Sequence, residues 1–137
     1  SVRKCINVVR RKLETFINKF TFRYDKMVKV NEIIKLNKKF GGSLINRYNL
    51  EFDVDMANNE SNIYKSNAYL IRGIIVSHAF IDGNKRTALS IITKRFNDNN
   101  VRCDDKKLTI GMINIAKDNL NDINKISKRL RKWCSKN

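Results

Sequence analysis

Proline is absent from the 137 residues, glycine occurs five times and histidine once. No Gly/Ser-rich stretch, repeat or low-complexity segment interrupts the chain, so nothing marks a linker to a second domain, and the length suits one small core. No window approaches eighteen uninterrupted apolar residues, which excludes a transmembrane helix. Arg3, Lys4, Arg10, Arg11 and Lys12 crowd the start, an arrangement that argues against a cleavable signal peptide. The cysteines, Cys5, Cys103 and Cys134, are odd in number and far apart, and none forms a Cys-x-x-Cys pair. They are expected to be free thiols in a reducing compartment, with the cytoplasm as the expected location and no membrane partner. A single His leaves a four-ligand zinc site without support.

Acidic residues are also scarce. Thirteen Asp and Glu stand against 29 Lys and Arg, for a formal charge of +16. Nucleic acid is the first partner such a charge suggests. The chain is equally rich in Asn and Ile, which with Lys are favoured by AT-rich codons, so the surplus needs no binding face. Nucleic acid is therefore not expected to be the main partner. With 42% hydrophobic residues the chain forms a packed globule and not a disordered one.

Apolar residues recur at helical steps along most of the chain. Val2, Ile6, Val9, Leu13, Phe16, Ile17 and Phe20 predict an amphipathic helix over 2–20. A second is expected from Met27 to Phe40, stopped by Gly41-Gly42. The stretch from Gly41 to Asn62 is the most acidic and carries turn residues, so it reads as a loop with a short β-hairpin over Leu44–Phe52. Helices are then expected over Ile63–Ser77, Asn84–Asn97, Leu108–Asn119 and Asp122–Cys134, with Val101–Asp105 a short connection. The expected fold is all-α with about six helices. Residues 1–27 read as an amphipathic helical extension and 28–137 as the main domain.

Between the two most apolar helices lies His78-Ala79-Phe80-Ile81-Asp82-Gly83-Asn84-Lys85-Arg86. His78 is the one side chain whose ordinary titration lies near neutrality, and so the natural acceptor of a hydroxyl proton. Asp82 is a hard oxygen ligand of the kind Mg²⁺ takes beside substrate phosphates. Gly83 lets the backbone approach a ligand, and the N–H groups that open the next helix form an anion site. Asn84, Lys85 and Arg86 add donors and positive charge. Cations at a helix start oppose its dipole unless an anion binds there, and that conflict points to function. The bland alternative makes His78 a capping residue, Asp-Gly-Asn a turn, Lys-Arg solvated surface and Phe80 a core anchor.

Taken jointly, His-x-Phe-x-Asp-Gly-Asn-Lys-Arg resembles the signature of the Fic/Doc superfamily in its Doc (death-on-curing) form, and Thr87-Ala88-Leu89 continues the likeness. Seven specified positions at ~1/20 each give a chance expectation on the order of 10⁻⁷ over the chain. The resemblance covers roughly residues 28–134 and is strongest over 70–97. It implies a compact helical Fic/Doc-type domain acting as a nucleotide-dependent transferase that modifies a Ser, Thr or Tyr hydroxyl on a target protein. By this resemblance His78 would be the general base, Asp82 would hold Mg²⁺, and Gly83, Asn84, Lys85 and Arg86 would contact the phosphates of ATP or another nucleoside triphosphate. The segment Gly41–Phe52 would hold the target-binding flap.

AMP-transferring Fic proteins typically carry Gly where Lys85 stands, and a further Arg where Leu89 stands. Doc proteins with this Lys are understood to bind ATP reversed and to transfer its γ-phosphate, in Doc's case to elongation factor Tu. The resemblance thus implies protein phosphorylation with toxin-like action on a translation factor, with AMP transfer as the alternative and a non-catalytic basic binding module as a second. The inhibitory pattern Ser/Thr-x-x-x-Glu-Gly/Asn is absent from the sequence, because Glu14, Glu32, Glu51 and Glu60 are followed by Thr, Ile, Phe and Ser. Restraint is therefore expected from a separate antitoxin, a helix laid in a groove.

Overall fold

The structure, a computed structural model, describes residues 27–136. The helix expected over 2–20, and Cys5 with it, lies outside the described residues. Six α-helices and one short sheet account for most of what is described. Helix α1 is Val30–Lys39, α2 is Arg47–Asn58, α3 is Ile63–Ile71, α4 is Asn84–Asp98, α5 is Asp105–Lys117 and α6 is Ile123–Trp133. Three of them open on a side-chain cap. The side chain of Asn62 accepts from the N–H of Tyr64 and Lys65, that of Asp104 from Lys107, and that of Asp122 from Lys125. None of the six is long and apolar enough to cross a membrane.

Helix α3 is the centre of the fold, with α2, α4 and α6 packed around it. Its residues Ala68, Leu70 and Ile71 are buried together with Ile74, Phe80, Ile92 and Phe96. Past Ile71 the helix widens into a π turn over Arg72–Val76, where Ser77 N–H donates to Arg72 C=O at 2.8 Å and Ala79 N–H to Ile74 C=O at 3.1 Å. The carboxylate of Asp53 on α2, nearly fully buried, receives Arg72 through Nη2 at 2.6 Å and Nε at 3.1 Å. That hydrogen-bonded charge raises the Arg72 guanidinium above its usual range, against the opposing effect of its own desolvation. On α4, burial pushes the Arg95 guanidinium down to about 10, although Asn67 Oδ1 and Ser66 Oγ accept its N–H groups at 2.6 and 2.9 Å.

Three expectations are corrected. The stretch read as a loop contains α2, because Leu50, Val54 and Ala57 fall at helical spacing and pack inward, and Asn58-Asn59 end that helix. The connection at 101–105 contains strand β1, Val101–Cys103, which pairs antiparallel with β2, Cys134–Lys136, beyond α6. Cys103 and Cys134 are not free thiols. They stand opposite each other in this ribbon and are joined by a disulfide, a juxtaposition made by the register of two strands 31 residues apart.

Candidate active site

The π turn delivers the chain into the motif loop. His78 takes a left-handed backbone conformation at φ +52°, uncommon for a side chain of its size, and so reverses the chain at the end of the helix. Beyond it the loop pairs with the segment that precedes α2. Leu44 bridges Phe80, the N–H groups of Ile45 and Asn46 donate to Ala79 C=O at 2.8 and 3.1 Å, and Ile81 N–H donates to Ser43 C=O at 2.9 Å. The hairpin expected within Leu44–Phe52 is therefore replaced by a pairing of 43–46 with the motif loop. The Asn46 side chain adds a bond to Ser77 C=O at 2.9 Å.

Phe80 is fully buried and anchors the loop. Asn84 holds it from the other end. Its Oδ1 accepts Phe80 N–H at 3.0 Å, its Nδ2 donates to Phe80 C=O at 2.7 Å, and the same Nδ2 lies 3.5 Å from His78 Nδ1. The reciprocal pair with Phe80 fixes which way the amide faces. The contact with His78 is too long to set the tautomer of the ring. Asn84 thus works mainly as an internal clamp, and its backbone N–H remains at the helix start.

Gly83 caps α4 in the left-handed conformation, φ +76°, and no side chain caps the helix there. The backbone conformation favours glycine, and a Cβ here would also press on Phe40 Cβ at 3.0 Å and Asn37 Nδ2 at 3.1 Å. The first N–H groups of α4 have no partner within the helix, which leaves its start suited to an anion. Asp82 Oδ1 accepts Gly83 N–H at 2.7 Å. The Arg86 guanidinium stands 6.0 Å from the centre of the Phe40 ring.

One cavity of about 570 Å³ brings together all six residues singled out in the sequence, His78, Asp82, Gly83, Asn84, Lys85 and Arg86. Phe40, Ile75, Val76, Ile81 and Ala116 complete its wall. Asp82 is exposed and presents a carboxylate oxygen beyond the one engaged by Gly83, and among the described residues no group of three or more His, Cys, Asp or Glu gathers to hold a metal. A lone outward carboxylate suits Mg²⁺ that arrives with phosphates, which supply its other oxygens. The sequence reading missed Phe40 and Asn37. The signal for Asn37 was present, a polar residue seven positions after Val30 and four after Ile33, on the stripe that turns inward.

Fold and site together define a helical domain in which one loop brings a histidine, a carboxylate and two cations onto a single cavity at a helix start. The family model of the Fic/DOC family matches residues 16–94, more than half of the chain, and the chain belongs to that family. Its members are typically transferases that use a nucleoside triphosphate to modify proteins. Comparison with curated proteins and with solved structures gives no match.

Proposed function

We propose that this protein transfers the γ-phosphoryl group of ATP to a Ser, Thr or Tyr hydroxyl of a target protein. The observation that carries the proposal is the single cavity in which His78, Asp82 and the residues Gly83 to Arg86 meet the uncapped start of α4. His78 takes the proton of the incoming hydroxyl, whose oxygen then bonds to the γ-phosphorus as the bond to the β-bridging oxygen breaks and ADP leaves. The N–H groups of α4, with Lys85 and Arg86, offset the charge on the transferring oxygens. Mg²⁺ held by Asp82 would neutralise further phosphate charge. Catalysis of this kind is chiefly positioning, which a loop clamped by Asn84 and Phe80 supplies.

Two features favour the γ-phosphate over AMP transfer. Lys85, exposed on the cavity wall, places a long cationic side chain where AMP-transferring relatives have Gly. Leu89, in the place of a further Arg, packs on the core and adds no charge to the phosphate site. Toxin-like action on a translation factor and restraint by a separate antitoxin belong to the same proposal and rest on the resemblance of the motif to Doc. Incubation with ATP labelled separately at the α- and γ-phosphates tests it. Label should reach protein from the γ position alone, and label reaching protein only from the α position would replace this reading with AMP transfer.

A further inference from the structure

Asn37 lies on α1, 45 residues before the loop it touches, and is fully buried. Its Nδ2 donates both hydrogens. One goes to Asp82 C=O at 2.9 Å, the other to Thr87 Oγ1 at 3.1 Å. Thr87, also fully buried, passes the bond on, its hydroxyl donating to Gly83 C=O at 2.7 Å. The side chain of one residue on α1 therefore holds Asp82 C=O directly and, through Thr87, supports a second bond at Gly83 C=O, beside the one this carbonyl accepts from Thr87 N–H at 2.9 Å in the first turn of α4. The neighbourhood leaves no slack, since a Cβ on Gly42 would collide with Asn37 Oδ1 and Asp82 C=O.

A trans peptide unit is planar, so fixing its C=O fixes the N–H that points the opposite way. The unit that carries Asp82 C=O ends in Gly83 N–H, which donates to Asp82 Oδ1 at 2.7 Å and so sets the carboxylate. The unit that carries Gly83 C=O ends in Asn84 N–H, the first donor of the anion site. From this geometry we infer that Asn37 is a positioning residue for nucleotide binding, one that aims the Asp82 carboxylate and the Asn84 N–H at the phosphates without touching either ligand. The inference rests on the nucleotide reading of the cavity. It assigns to α1 a part in the site that the motif itself does not contain.

Asn37→Asp keeps the shape and turns a donor into an acceptor facing Asp82 C=O, while Thr87→Val keeps the shape and cuts the relay to Gly83. Calorimetric titration with ATP, with and without Mg²⁺, reads the result for the whole chain. Asn37→Asp should weaken MgATP binding about tenfold and metal-free ATP binding less, because the carboxylate is lost to the site as well as the N–H. Thr87→Val should weaken both forms by a similar, smaller factor, and the double variant should be no weaker than Asn37→Asp alone, as expected for one connected chain. A simple loss of fold would not separate the two ligands in this way. Wild-type MgATP affinity in Asn37→Asp would overturn the inference, as would wild-type affinity in Thr87→Val if Asn37→Asp does not fold. If the wild-type chain itself binds no MgATP, both this inference and the nucleotide reading fall.

Discussion

Asn84 and Lys85 are adjacent in sequence and read alike there, as two donors beside a phosphate. In the folded chain they part. Asn84 is 8% exposed with its amide occupied by Phe80, while Lys85 is exposed on the cavity wall. Burial and partners, which the motif does not record, decide between clamp and ligand. His78→Ala should lower transfer by at least ~10²-fold, the usual contribution of a general base, while MgATP binding stays within a few-fold of wild type. Kinetics and calorimetry on the same preparation check this pair of outcomes. Gly83→Ala should do the reverse. A Cβ in the left-handed region costs roughly 1–2 kcal/mol before the contact with Phe40 is counted, so MgATP binding should weaken while the rest of the domain keeps its fold, as read by titration and circular dichroism.

At the scale of elements, the π turn over Arg72–Val76 determines how the chain arrives at His78. Its widened hydrogen bonding is braced by the two bonds between Arg72 and Asp53 and by the close approach of Gly73, where a Cβ would stand 2.7 Å from Asp53 Cβ. Asp53→Ala should destabilise the domain by about 2–4 kcal/mol, toward the lower end because Arg72 is itself part-exposed, and denaturant unfolding measures it. Most helices were legible in the sequence because their apolar spacing is long and regular. Helix α2 was not, since its acidic and Asn-rich composition resembles a loop, and its inward stripe is only four residues. The strands were illegible for a different reason. Three residues each carry no period, and the partner of Cys103 lies beyond two intervening helices. Reduction of the disulfide, which closes a loop of 31 residues, should cost about 3–4 kcal/mol and lower Tm accordingly in the presence of dithiothreitol.

The charge of +16 belongs to the whole molecule, and the structure divides it between different places. Lys85 and Arg86 face the cavity. On α6, Lys125, Lys128, Arg131 and Lys132 face solvent, Arg129 lies 3.6 Å from Asp118, and the Arg131 guanidinium stands 5.4 Å from the centre of the Tyr64 ring. Only the first group enters the proposed phosphate chemistry. The six candidate residues that meet on the cavity come from nine consecutive residues, so their juxtaposition was legible, because one loop can carry a compact set of groups. What the nine residues could not show is the frame that holds them, Asn37 and Phe40 on α1 and the short pairing of 43–46 with the loop, which only the tertiary fold brings together.

Mass spectrometry of proteins modified by the wild-type chain and not by His78→Ala tests the central claim most directly, because the added mass names the reaction and the modified peptide names the target. The account predicts a single phosphate on a Ser, Thr or Tyr, present only when ATP and His78 are both present. A nucleoside monophosphate at that hydroxyl, or no difference between the two chains, would contradict it.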